Sequence, residues 1–231
     1  VYVWQEYRVA RDIPDSDRVE AIGMKFAGEQ YIGTHHYVGQ QLLKMFPEIE
    51  SVCGVSRMEL MVNKGDERLR AQVLTADSTF FTFFGYQLKE GDATRCLEAK
   101  DAAVVSKRFA MRMFAETAVV GRTIMFNDSL KLHITAVMED LKGRIFDNPD
   151  IVVNYNYQRY GNFANTDEAF LINMVNMSGC NVFLKMHEGK TFVGREKELT
   201  KSFAKFWKHF AEQKPDEEMF VEPFTMKYKD V

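Results

Sequence analysis

Two pairs of alternating apolar segments, each joined by turn residues, most constrain the fold of this chain. In the first pair, residues 58–62 alternate before a polar turn at residues 63–66, and residues 69–73 alternate after it. In the second pair, an Asn-Asp turn joins residues 122–126 to residues 130–136. Alternation with a period of two places apolar side chains on one face of a strand, and a short turn brings two such strands together. The sequence therefore predicts two β-hairpins.

Strand and helix patterns lie on both sides of these hairpins. Residues 18–26 are compatible with a strand, and residues 37–46 carry apolar residues on one helical face. Towards the other end, residues 181–186 and 219–224 are predicted strands, separated by a long helix over residues 193–210. The order strand, helix, strand thus occurs twice. We predict an α+β fold in which two strand–helix–strand units flank an inserted small α/β lobe.

The long C-terminal helix has the clearest amphipathic pattern. Its apolar residues follow steps of four, three and four, which place their side chains on one side of a helix. The predicted core residues of this helix are Leu199, Phe203, Phe206 and Phe210. Lysines occupy the opposite face, so we expect the helix to pack through its apolar stripe.

Two short helices are predicted in the middle third. The first spans the aromatic block at residues 80–84, where Asp77 can cap the free amides of the first turn and Gly85 can end the helix. The second follows a buried strand at residues 102–105, with Ser106 as its cap. The middle third is therefore predicted to form its own small α/β unit.

Composition excludes several classes of function. With 231 residues, 46% of them apolar, the chain can bury a proper core. The formal charge of -3 gives no field that favours nucleic acid as a partner. The three cysteines, Cys53, Cys96 and Cys180, are too widely separated for a metal or redox motif and are expected to be buried side chains.

Motifs that resemble catalytic or metal sites are incomplete. Residues 189–191 read Gly-Lys-Thr, but a phosphate-binding loop needs a glycine where Leu184 stands, so these residues are interpreted as a turn leading into the long helix. The neighbouring His35 and His36 point apart on a helix or a strand and cannot converge on a metal. We predict no catalytic residue, no metal ligand and no cofactor, and hence no enzyme.

Five short motifs of the middle third occur in a specific order. They are Thr75-Ala76-Asp77 with the aromatic block and Gly85, then Gly91-Asp92, Ala103-Val104-Val105-Ser106, Gly121-Arg122-Thr123-Ile124 and Ile134-Thr135-Ala136-Val137. In this order and spacing they resemble the MacB-like periplasmic core domain of ABC transporter permeases. The flanking units share with that family only their order of strands and helices.

The resemblance implies a division into two lobes. Residues 1–75 and 147–231 would form a discontinuous porter-like lobe, and residues 76–146 would form the inserted second lobe. In such permeases transmembrane helices precede and follow the domain. Val1 and Val231 are therefore expected to be the membrane-proximal ends, with the domain on the periplasmic or extracytoplasmic side of the bacterial inner membrane, anchored by helices outside this sequence.

The resemblance also implies a function. The domain would couple ATP-driven motion of transmembrane helices to events outside the membrane, with the C-terminal helix as a rigid lever. Its expected partners are the transmembrane helices of its own permease, a second permease copy, a cytoplasmic ATPase reached through the membrane part, and a periplasmic or outer-membrane protein. The alternative is an extracytoplasmic ligand-binding sensor domain of a membrane receptor, which would need a preformed pocket.

Overall fold

The protein divides into two compact units. Unit 1 comprises residues 1–14 and 55–158, and unit 2 comprises residues 15–54 and 159–231. The computed structural model describes residues 13–26, 29–34, 36–126, 130–140, 146, 148–155, 180–199 and 222–228. The predicted division at residues 75 and 147 differs from these boundaries and stays a prediction.

Unit 2 is built around a central strand whose partners all run antiparallel to it. β1 (Val19–Phe26) pairs with β2 (Glu29–Ile32), β10 (Asn181–Met186) and β11 (Glu222–Lys227). The helix α1 (His36–Met45) covers β10 closely, because a Cβ on Gly39 would lie only 2.8 Å from Cγ1 of Val182. The absence of a side chain at this glycine therefore permits the close packing of helix on strand.

Unit 1 contains a mixed sheet. The long strand β3 (Ile49–Lys64) contributes residues 55–64 to unit 1 and its first residues to unit 2. It forms a hairpin with β4 (Glu67–Ala76), which pairs in parallel with β9 (Ile151–Asn154). The remaining strands are β5 (Leu88–Glu90), β6 (Ala102–Ser106), β7 (Thr123–Phe126) and β8 (Leu130–Met138). β6 lies antiparallel to β9 and parallel to β8, and β8 also pairs with β5 and β7.

Two helices cover apolar parts of unit 1. The helix α2 (Phe80–Phe84) buries four phenylalanine side chains, and α3 (Lys107–Phe114) buries Phe109 and Ala110 against a core that includes side chains of β4, β6 and β8. The Oγ atom of Ser106 accepts a hydrogen bond from the amide of Phe109 at 3.0 Å, which confirms the predicted cap.

Other helix ends differ from the predictions. Gly85 ends α2 with a left-handed backbone, φ +64°, as predicted, but Thr79 rather than Asp77 occupies the N-cap position. The C-terminal helix begins at Glu196 instead of Val193. The reason is Gly194, whose φ of +83° is incompatible with a right-handed helix.

The fold class and both hairpins are confirmed. The hairpins are β3–β4 and β7–β8, and the strand–helix–strand order at the beginning of the chain appears as β1, β2, α1 and β3. The last described strand extends to Lys227, beyond the predicted end at residue 224. Within the described ranges, no helix is both long enough and apolar enough to cross a membrane.

Candidate functional site

A buried carboxylate in the central strand of unit 2 ties three segments together. The side chain of Glu20 on β1 has no exposed surface. Its Oε1 accepts a hydrogen bond from Nζ of Lys227 at 2.7 Å and another from the hydroxyl of Thr191, and its Oε2 accepts from the amide of Phe192 at 2.9 Å. We call these four residues the Glu20 anchor.

The anchor meets the physical requirement for a buried charge. Removing a carboxylate from water is costly unless an opposite charge and hydrogen bonds replace the lost solvation. Lys227 lies directly opposite Glu20 in the β1–β11 register and supplies the charge, while Thr191 and Phe192 supply two donors. Glu20 therefore connects β11 and the segment before the C-terminal helix to the centre of the sheet.

A second set of contacts holds the start of the C-terminal helix. The guanidinium of Arg195 bonds Glu198 at 2.5 Å and Glu48 at 3.2 Å, and it lies 5.0 Å from the centre of the Phe192 ring. The pKa of Arg195 lies above its ordinary value, first because of the hydrogen bond with Glu198 and also because of Glu48. The ring of Phe192 in turn meets that of Phe46 edge to face, with centroids 4.9 Å apart.

The predicted core residues of the helix are only partly within the described chain. Leu199 is fully buried, as the apolar stripe requires. Phe203, Phe206 and Phe210 lie outside the described residues, as do the predicted membrane-proximal ends Val1 and Val231. The lever role of this helix stays a prediction.

Of residues 189–191, Thr191 belongs to the anchor. Gly189, with φ +71°, and Lys190 lie in a turn, and the hydroxyl of the following Thr191 binds Glu20. Sequence reasoning missed Glu20, although one signal was present, since its carboxylate stands inside a strand whose neighbours Val19 and Ala21 are apolar and buried. A lone acidic residue in such a strand indicates a partner elsewhere in the chain.

A second buried carboxylate lies in unit 1. The side chain of Asp150 is only 5% exposed, and its Oδ1 accepts from Arg108 at 2.9 Å and Arg112 at 3.3 Å. Its Oδ2 accepts from the backbone amide of Gln72 at 3.1 Å. The cluster joins α3 to the start of β9 and to β4, which makes it a structural element of unit 1.

The described residues hold no group of three or more His, Cys, Asp or Glu side chains placed to bind a metal. His133 lies half-exposed on β8, with its nearest carboxylate oxygen, on Asp101, 3.6 Å away. In the Glu20 anchor the carboxylate that accepts from the Thr191 hydroxyl is also held by Lys227 and the Phe192 amide, and in the other cluster two arginines hold Asp150. The geometry of both carboxylates supports a role in linking segments of the chain.

The three cysteine side chains are expected to resist thiol reagents in the native protein. All three are buried, and burial raises the pKa of Cys96 to about 12, so that this thiol stays protonated at pH 8. Ellman's reagent at pH 8 should therefore react with all three thiols only after unfolding in guanidinium chloride. Rapid reaction of any thiol in native buffer would contradict the buried positions.

A family comparison decides what kind of domain this is. The model of the MacB-like periplasmic core domain matches residues 5–192, which is most of the chain. The chain belongs to the MacB-like periplasmic core domain family. It is therefore an extracytoplasmic domain of an ABC transporter permease of the MacB type.

Solved structures share the fold of this MacB-like domain. A domain of a protein described as a permease from Porphyromonas gingivalis superposes with a TM-score of 0.70 at 15% identity, covering 94% of this chain and 92% of that one. The periplasmic region of MacB from Actinobacillus actinomycetemcomitans gives a TM-score of 0.63 at 15% identity, covering 98% and 94%.

A third similar structure is the extracellular domain of the noncanonic ABC-type transporter YknZ from Gram-positive bacteria. It gives a TM-score of 0.51 at 12% identity and covers 89% of this chain and 99% of that one. The comparison with curated protein sequences found no match to this chain. At these identities the structural comparisons establish the fold, while membership of the family rests on the sequence model.

Proposed function

We propose that this domain transmits nucleotide-driven motion of transmembrane helices to the extracytoplasmic side, without catalysing a reaction itself. The observation that carries the proposal is the Glu20 anchor. It connects β11, near the C-terminal end of the sequence, to the segment that starts the C-terminal helix. A displacement applied at β11 would therefore reach the start of that helix through hydrogen bonds and an ion pair.

The close packing around the anchor supports rigid transmission. Glu20 and Leu199 are both fully buried, and Arg195 links Glu198, in the first turn of the helix, to Glu48. Close-packed interiors deform little, so they pass on displacements instead of absorbing them. We propose in addition that the C-terminal helix acts as the lever and that the lobes divide near residues 75 and 147.

The proposal assigns the partners as follows. Transmembrane helices of the parent permease would deliver the motion to both ends of the domain, and a cytoplasmic ATPase would drive them. A second permease copy would place two such domains side by side, and a periplasmic or outer-membrane protein would receive the motion. Each of these partners is supported by membership of the family alone.

The coupling role can be measured in the intact transporter. We expect ATP with vanadate to change the distance between two copies of the domain, because the nucleotide-bound ATPases would move the membrane helices. A spin label at Glu188→Cys reports this distance by double electron–electron resonance. The position is exposed and the three cysteines of this domain are buried, so within the domain labelling should be selective.

The variant Glu20→Gln tests the anchor in the same experiment. It removes the charge that holds Lys227, so the nucleotide-dependent change should shrink while ATP hydrolysis continues. Arg95→Gln is the matched control, since Arg95 is mostly exposed and pairs only weakly with Glu98 at 3.6 Å. An unchanged distance in the unsubstituted transporter, with normal ATP hydrolysis, would rule out the coupling role.

A further inference from the structure

A cavity in unit 1 is lined by two arginines and by no acidic side chain. Its volume is about 300 Å³, at the lower end of the range of small-molecule pockets. The lining residues are Arg57, Gln72, Val73, Leu74, Arg108, Asn148 and Pro149. We call this the Arg57 cavity.

The cationic groups of the cavity are not fully neutralised. Arg108 shares the Asp150 carboxylate with Arg112, so one negative charge serves two positive ones. The side chain of Arg57 is exposed and forms no ion pair or hydrogen bond with any residue that the structure describes. The nearby carboxylate of Glu59 is already engaged, by Arg70 at 3.1 Å and by Gln72 at 2.8 Å. The cavity therefore carries an excess of positive charge.

The remaining walls select among anions. Leu74 and Pro149 present carbon atoms, and the amide side chains of Gln72 and Asn148 can each donate or accept a hydrogen bond. An inorganic anion would leave the apolar wall without a partner, whereas an organic anion can cover it. A guanidinium group matches a carboxylate in shape, because its paired N–H groups can bond both carboxylate oxygens.

The backbone on one side of the cavity holds an uncommon conformation. Asn148 has a φ of +47°, in the left-handed region, and it directly precedes a proline. Its carbonyl accepts a hydrogen bond from Nη2 of Arg108 at 3.0 Å, and the same nitrogen bonds Asp150. These bonds fix the Arg108 guanidinium at the cavity wall before any ligand arrives, which reduces the entropy lost on binding.

We propose that the Arg57 cavity binds a small organic carboxylate. The carboxylate would lie between the guanidinium groups of Arg57 and Arg108, with its carbon chain against Leu74 and Pro149. A free metabolite and an acidic side chain of a peptide offer the same chemistry to this cavity. The proposal concerns unit 1 alone and does not depend on the coupling role.

The test follows the arginine side-chain signals of the 231-residue chain by nuclear magnetic resonance. Glutarate represents a free carboxylate, an acetylated glutamyl peptide amide represents the peptide source, and inorganic phosphate is the third probe. We expect saturable shifts of the Arg57 and Arg108 Nε–Hε signals with glutarate, with the peptide, or with both. The tighter-binding probe shows whether the natural ligand is a free carboxylate or an acidic side chain of a peptide.

The variant Arg57→Gln should weaken carboxylate binding about tenfold, as expected for the loss of one charge-assisted hydrogen bond. It should leave the melting temperature unchanged, since the Arg57 side chain forms no ion pair or hydrogen bond within the described chain. Arg95→Gln is the matched control, because Arg95 also belongs to unit 1, is mostly exposed and does not line the cavity. Its affinity should equal that of the unsubstituted protein.

Three results would overturn the proposal. The first is the absence of saturable shifts with both carboxylates. The second is equal affinity in Arg57→Gln and the unsubstituted chain. The third is binding of phosphate as tight as that of the carboxylates, which would show a general anion site.

Discussion

Replacing Gly91 with alanine is expected to lower the free energy of unfolding by about 2–5 kcal/mol, from overpacking and left-handed backbone strain together. A Cβ at this position would lie 2.5 Å from Cβ of Ala136 and 2.9 Å from the carbonyl oxygen of Thr135. Both atoms belong to β8, and as a backbone oxygen and a Cβ neither can move away by rotation of a side chain. The backbone φ of +106° is a further cost for any residue with a side chain.

The measurement is guanidinium unfolding followed by circular dichroism, with a melting temperature expected roughly 10 °C lower. Gly121→Ala is the matched control. Gly121 also has a positive φ, +87°, but a Cβ there would meet no atom within 4 Å. It should show the backbone cost alone, about 1–2 kcal/mol. Equal losses in the two variants would show that the contact with β8 is absent.

Replacing Phe80 with alanine is expected to cost about 3–5 kcal/mol, as for other buried aromatic side chains. Phe80 has no exposed surface and stands at the centre of an aromatic cluster. Its ring centroid lies between 5.1 and 5.6 Å from four others, those of Phe81, Phe84, Tyr86 and Phe146. Truncation would remove these contacts and leave a cavity that rigid neighbouring rings fill poorly.

Thr82→Ala provides the control on the same helix. Thr82 is exposed, and its hydroxyl binds only the carbonyl of Thr79, at 2.9 Å, so its loss should change stability by about 0.5 kcal/mol or less. Phe80→Leu should fall between the two because it keeps part of the buried volume. A Phe80→Ala variant as stable as Thr82→Ala would show that the aromatic cluster does not support unit 1.

The surroundings of Phe80 could be predicted from the sequence better than those of Gly91. The aromatic block, its termination at Gly85 and the cap at Ser106 were all predicted from local pattern, and the structure confirms them. Each depends on residues only a few positions apart. Gly91 was recognised as part of a family motif, but its contact with Ala136 could not be predicted, because those residues meet only when β8 is in place.

The contacts of the candidate site were even less predictable from the sequence. Glu20 lies 171 residues from Thr191 and 207 from Lys227 in sequence, so no local pattern reveals that they share hydrogen bonds. The guanidinium groups of the Arg57 cavity likewise come from β3 and α3, at positions 57 and 108 of the sequence. Sequence reasoning located the helix that the anchor holds, but not the anchor.

Although β2, β5 and β9 were not predicted, local sequence patterns predicted most of the strands and helices and both hairpin pairings. These follow from side-chain periodicity, turn residues and caps, which act between neighbours along the chain. Only the tertiary structure decided that β4 lies parallel to β9 and β6 parallel to β8, and which donors surround Glu20 and Asp150. The physical reason is that such pairings depend on burying distant segments together, and the free energy of that burial belongs to the whole packed unit rather than to any segment.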